Sequence, residues 1–188
     1  MKRTGILLVV LAVSLAAFPQ KSRKRVVLEW GGDKEYAKLN EVKLNLVTTI
    51  FGAYPEISYE RILDSDISVG VAAGIGFDED LYDMRFALTP HFRWFFGGAY
   101  KSLEKIGSGF FIEANGAVFS REYDDSDYNS DVWNNTTDAK TGAGLGLAIG
   151  WKYLSKNNWV GEVFLGAGRD FVNDGAYPRT GITIGKRF

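Results

Sequence analysis

Cysteine is absent from this chain of 188 residues. That excludes disulfides, thiol chemistry, Cys-ligated zinc and a lipid anchor carried on a cysteine. Proline is scarce, at 4 residues, and histidine occurs once, as His91. An excess of one charge sign is also missing. The formal net charge is −1, which argues against a strongly basic nucleic-acid surface. Beyond the N-terminal segment, no apolar run approaches the ~18–20 residues that a membrane-spanning helix needs. What is abundant is glycine, with 22 residues, and aromatic side chains, at 14%. A Gly- and aromatic-rich chain with few prolines suits a protein built mostly of β-strands.

The N-terminus reads as a targeting segment. Lys2 and Arg3 form a basic start, and Gly5 to Phe18 form an apolar stretch of 14 residues. This fits a signal peptide over residues 1–20 and is short for a spanning helix. Cleavage falls after Ala17 or after Gln20. An uncleaved anchor is the other reading, because Lys21, Arg23, Lys24 and Arg25 follow directly. Residues 21–40 show no sustained period and form an N-terminal extension.

From residue 41 onward, apolar residues alternate with period two between turn signals, the pattern of β-strands. Eight runs are expected: 41–50, 55–63, 67–77, 84–96, 108–121, 140–154, 158–171 and 178–188. Their two faces differ. In the sixth, Ala143, Leu145, Leu147, Ile149, Trp151 and Tyr153 alternate with Gly142, Gly144, Gly146, Ala148, Gly150 and Lys152. The fourth sets Met84, Phe86, Leu88, Phe92, Trp94 and Phe96 against Arg85, Thr89, His91 and Arg93. A water-facing strand surface would carry Lys, Glu, Thr and Ser, whereas glycine weakens a strand and needs a reason. The interior of a narrow closed barrel supplies one, since small residues there leave room for large ones opposite. Eight strands enclose a lumen that side chains just fill. The reading is therefore an all-β fold, an eight-stranded antiparallel transmembrane β-barrel over residues 41–188, with its apolar face on lipid and a polar, Gly-rich packed interior.

The connections fit outer-membrane barrels, whose short turns lie on the periplasmic side and longer loops outside. Short turns are expected near 63–67 and 154–158, and a longer one over 96–108. The outer loops fall near 51–55, 78–83, 122–139 and 172–177. Aromatics mark both rims. Trp94, Phe96, Phe110, Trp151, Tyr153, Trp159 and Phe188 lie near one end. Phe51, Tyr54, Phe77, Tyr82, Phe119, Tyr123, Phe171 and Tyr177 lie near the other.

Inward positions hold Lys43, Asn45, Glu56, Ser58, Glu60, Arg85, His91, Arg93, Glu113, Asn115, Lys152, Glu162 and Arg187. Four glutamates face five cations. Buried charge must be paired, so mixed signs imply an ionic plug rather than an open pore, with a narrow channel as the rival. His91 beside Arg93 is a candidate base or pH-sensitive group, but no serine accompanies it in "LTPHFRW", and its bland reading is a hydrogen-bonded member of the interior. The loop "REYDDSDYNSD" offers Asp124, Asp125, Asp127, Asn129 and Asp131. Counted from Asp125, it has Ser130 and Thr136 where an EF-hand has glycine and glutamate, so it reads as a solvated acidic loop. Asn134 and Asn135 each open an N-x-T match. The clusters at 142–146 and 166–168 lie in strands with no helix following, so they are not nucleotide-binding loops. No catalytic, cofactor-binding or metal residue is assigned, and no enzymatic activity is expected.

The segments "KLNLVTTIFGAYPEISYERIL", "FALTPHFRWFF", "GFFIEANGAVF", "GLGLAIGWKYL" and "YPRTGITIGKRF" resemble small outer-membrane β-barrel proteins of Gram-negative bacteria, of the OmpA/OmpX size class, a group largely of unknown function. The resemblance implies a cell outer-membrane location and a structural or surface-interaction role, with a narrow channel for small solutes or a lipid-modifying outer-membrane enzyme as the alternatives. It also implies contact with outer-membrane lipid and lipopolysaccharide, and a monomeric state. In that family the last strand, ending in an aromatic, is read by the barrel-assembly machinery. Ile182, Ile184 and Phe188 match that pattern and Lys186 departs from it, a lysine whose ammonium can reach water at the interface.

Overall fold

The computed structural model describes residues 27–30, 33–36, 38–77, 84–96, 106–123 and 138–188. Within the stretch read as an extension, β1 (Val27–Trp30) and β2 (Asp33–Tyr36) pair as an antiparallel hairpin. Residues 38–188 form a separate compact unit. Its strands are β3 (Asn40–Asn45), β4 (Glu56–Ile62), β5 (Ile67–Ile75), β6 (Met84–Phe96), β7 (Gly109–Tyr123), β8 (Asp138–Leu154), β9 (Trp159–Asp170) and β10 (Gly175–Arg187). Each pairs antiparallel with its sequence neighbour, and β10 pairs with β3, so eight strands close into an antiparallel barrel. Glu41 opposite Arg187 and Asn45 opposite Thr183 bound the closing seam. Closure gives every strand two partners and leaves no open edge.

One end of the barrel, the terminal end, carries Asn40, Phe188 and the tight turns at 63–66 and 155–158. In the latter, Ser155 N–H donates to the Trp159 carbonyl at 2.9 Å, and Asn158 takes a left-handed conformation, φ +61°. Asparagine tolerates that region better than most side chains. The opposite, loop end carries the β3–β4 connection and the turn at 171–174.

The alternation places its two faces as the glycines required. Leu145, Leu147, Ile149, Trp151 and Tyr153 of β8 are exposed outward. So are Phe92, Trp94 and Phe96 of β6, Val163 and Leu165 of β9, and Ile182 and Ile184 of β10. The large inward side chains rest on small residues of the adjacent, paired strands. A Cβ on Gly168 would come within 2.1 Å of the Tyr177 ring, and one on Gly150 within 2.5 Å of Phe111. Among the described residues no helix is long and apolar enough to cross a membrane.

Three expectations are corrected. The first run does not extend to residue 50: β3 stops at Asn45, and Leu46–Phe51 form a short helix, α1. There the sequence stops alternating and pairs its residues instead (Leu-Val, Thr-Thr, Ile-Phe), and the Thr49 hydroxyl donates to the Asn45 carbonyl one turn back. Second, Met84 points inward and Arg85 outward, the reverse of simple alternation through β6. A register shift between Met84 and Phe86 on the β6–β7 ladder flips the strand's end. Third, Tyr54, Phe119 and Tyr177 are not in an outward aromatic band but buried in the lumen. Phe51, Phe77 and Phe171 are exposed at the loop end. Tyr82 and the side chain of Tyr123 lie outside the described residues, as do the acidic loop from Asp124 to Asp131, Asn134, Asn135 and most of the 97–107 connection.

Candidate functional site

The lumen is the candidate site. Its inward charges are Glu41, Glu56, Glu60, Glu113 and Glu162 against Lys43, Arg93, Lys152, Arg179 and Arg187. Asp170, buried on the same face at the loop end of β9, makes six carboxylates to five cations among the described residues. Sequence reasoning missed Glu41, which precedes the obvious part of the first run, and Arg179, which sits beside a proline in the last. It also counted Arg85 as inward.

Every strand contributes to one connected network. Lys43 Nζ, from β3, donates to Glu60 and, at 2.6 Å, to Glu162 Oε1 of β9. Arg93 of β6 donates from Nε to Glu113 Oε2 at 2.7 Å. Its Nη1 donates to Glu60 at 2.7 Å and to Glu162 at 3.0 Å. Lys152 of β8 donates to Glu60 Oε1 at 2.6 Å and Glu41 Oε2 at 2.9 Å. Ser68 of β5 donates to Glu60. Arg187 of β10 donates to Glu41 Oε1 at 2.7 Å and to the carbonyls of Ile106 and Gly107 at 2.7 and 3.1 Å. That draws the Ile106–Gly107 turn under the terminal end, where Gly107, φ +60°, lies so close to Ile62 that a Cβ would meet its Cδ1 at 2.7 Å. Arg179 extends the network toward the loop end, with Nε on Glu113 Oε1 at 2.9 Å and Nη1 on Glu56 Oε1 at 3.1 Å.

Three phenylalanines brace these cations. The Arg93 guanidinium lies 4.5 Å from the Phe111 ring centre, Arg179 lies 4.7 Å from Phe164, and the Lys152 ammonium 4.7 Å from Phe95. Cation–π attraction strengthens as water is excluded. Toward the loop end the filling becomes apolar, with Tyr54, Met84, Ala87, Ala117, Phe119 and Tyr177 forming one cluster. The Tyr177 hydroxyl donates to Asn115 Oδ1 at 2.8 Å, which joins the two layers. The cavity left between them has a volume of about 30 Å³, room for a water molecule and not for a solute.

The carboxylates of Glu41, Glu60 and Glu162 converge within 4.8 Å of one another. The protein's own Lys43, Lys152 and Arg93 already hold them, in the positions a divalent cation would need. His91 is inward and buried, with Nδ1 3.3 Å from the Thr89 carbonyl, while Nε2 has no hydrogen-bond partner and sits over Gly70. No hydroxyl nucleophile meets either ring nitrogen among the described residues. At the loop-end rim, beyond the outward apolar positions of β9, Asp170 accepts hydrogen bonds from Asn173 Nδ2 and from the N–H groups of Val172 and Ala143. Lys186, the outward residue that departs from the terminal pattern, donates to the Asn157 carbonyl at 2.9 Å and lies 5.0 Å from the Trp159 ring.

Fold and lumen together define the class: a closed eight-stranded barrel, apolar outside and filled with paired charge. Among solved structures the chain is similar to the N-terminal β-barrel domain of Pseudomonas aeruginosa OprF. The TM-score is 0.56 at 13% identity, over 80% of this chain and 98% of that one. The likeness is one of fold. No protein-family model matches the chain, and no curated protein matches it in sequence.

Proposed function

We propose that residues 41–188 span the outer membrane of a Gram-negative cell as a closed, non-conducting barrel with a structural or surface-interaction role and no catalysis. In this reading residues 1–20 are the export signal and 21–40 an extension, with the terminal end in the periplasm. The observation that carries it is the inversion of the two faces. Leucines, valines and tryptophans point out, while Glu41, Glu60, Glu113 and Glu162 are buried inside with Lys43, Arg93, Lys152, Arg179 and Arg187. A water-soluble monomer rarely exposes so continuous an apolar surface, whereas lipid demands it and also demands that every backbone group be paired, which closure achieves.

Refolding into phosphatidylcholine vesicles tests the class. A heat-modifiable gel shift together with membrane fractionation supports it, and a chain that stays soluble without detergent overturns it. Planar-bilayer recording separates the plug from the narrow channel: the ionic layer predicts no conductance steps in the unmodified chain.

A further inference from the structure

One shallow groove interrupts the outward apolar surface near the loop end, with a volume of about 580 Å³. Its floor is Ala167 of β9 with the cross-paired glycines Gly146 and Gly168, where neither strand carries a side chain. Leu145 and Leu147 of β8 form one wall, each about two-thirds exposed, and Ala176 of β10 bounds the other side. At its head is Arg169, whose cross-strand neighbours are Leu145 and Ala176. The side chain of Arg169 is 69% exposed, and among the described residues it uses a single N–H, from Nη2, to reach Asp174 at 2.8 Å. So exposed an ion pair exchanges readily, and four guanidinium N–H groups remain for another acceptor.

An apolar trough ending in a guanidinium at the expected membrane–water boundary matches one kind of molecule: an acyl chain carrying an anionic head. We propose that this β8–β10 groove retains a phosphate-bearing lipid, with one acyl chain over Ala167 between Leu145, Leu147 and Ala176, and its phosphate on Arg169. Guanidinium and phosphate match in a two-pronged geometry that a single exposed carboxylate does not fully use. The inference rests on the membrane reading above and adds a specific lipid position to it.

The test uses the full barrel refolded into vesicles of dimyristoylphosphatidylcholine containing dilute dimyristoylphosphatidylglycerol. It is then extracted into a mild non-ionic detergent, and its retained lipid is counted by native mass spectrometry. One phosphatidylglycerol per chain is expected, favoured over phosphatidylcholine by about fivefold, the scale of one basic side chain at an anionic surface. Arg169→Gln removes the preference while leaving weak retention of both lipids. Ala167→Leu fills the trough and lowers retention of both. Both positions face outward, so neither substitution touches the lumen, and the heat-modifiable shift verifies folding. Equal retention of the two lipids by the unmodified chain overturns the proposal, as does an unchanged preference in Arg169→Gln or undiminished retention in Ala167→Leu. A chain that never enters vesicles overturns the membrane reading itself, a result distinct from either.

Discussion

Toward the terminal end the lumen is filled by charge, with Glu41, Lys43, Glu60, Arg93, Lys152, Glu162 and Arg187 in mutual contact. Toward the loop end it is filled by rings, with Phe119 and Tyr177 tilted 53° to each other at 5.5 Å and Tyr54 beside them. Both fillings close a narrow barrel, but they fail differently. A charge deprived of its partner cannot reach water from inside the barrel, so the ionic half is all-or-none around its shared carboxylates. An aromatic ring deprived of a neighbour loses contact area in proportion, so the apolar half degrades gradually. Glycines serve both halves: Gly74, Gly142 and Gly168 seat Tyr54, Phe119 and Tyr177, while Gly150 seats Phe111 and Gly185 lies against Lys43.

The sharpest way to break this contrast is Glu60→Gln. Glu60 receives Lys43, Arg93, Lys152 and Ser68 together. Its neutralisation should cost about 3–5 kcal/mol, read as a lower urea midpoint for the barrel in detergent micelles. A loss below about 1 kcal/mol, the scale of a surface ion pair, would mean the ionic half is no more demanding than the exterior. Second comes Gly168→Ala. The three atoms nearest to the added methyl all belong to Tyr177, at 2.1–2.3 Å, so the ring must move and stability should fall by about 1–3 kcal/mol. An unchanged midpoint would show that the ring has free space after all. Smaller is Tyr177→Phe, which keeps the ring and removes only its bond to Asn115. About 1 kcal/mol is expected, and a loss as large as that for Glu60→Gln would place the joint between the layers, not the ionic layer, at the centre of stability. Smallest is Lys186→Val, which restores the apolar pattern on the exterior. Its unfolding midpoint should shift by no more than about 0.5 kcal/mol. A larger drop would show that the bond to Asn157 fixes the turn at 155–158.

Much of this was legible without coordinates. The run Gly142, Gly144, Gly146 marked an inward face because a strand tolerates such residues only where something large must fit. Ile182, Ile184 and Phe188 marked the outward face of the last strand by the same alternation. The errors fall where alternation stops being a guide. A single bulge at the start of β6 exchanged Met84 with Arg85. The unalternating Leu46–Phe51 became a helix. Tyr54, Phe119 and Tyr177 lie near strand ends, as rim aromatics do, yet point inward; for Phe119 the alternation with Phe110, Ile112 and Val118 carries that direction.

The amino-acid order by itself determined the eight barrel strands and, the start of β6 excepted, which face of each is apolar, because side-chain direction along a pleated strand is a local property with a period of two. The β1–β2 hairpin shows no such period and was not legible. The order did not determine who pairs with whom. Lys43 and Glu162 lie 119 residues apart and meet at 2.6 Å. Their relative height in the lumen depends on strand tilt and on the stagger accumulated around the closed sheet. Only closure brings β10 beside β3, and only then do Glu41 and Arg187, at opposite ends of the barrel's chain, become neighbours.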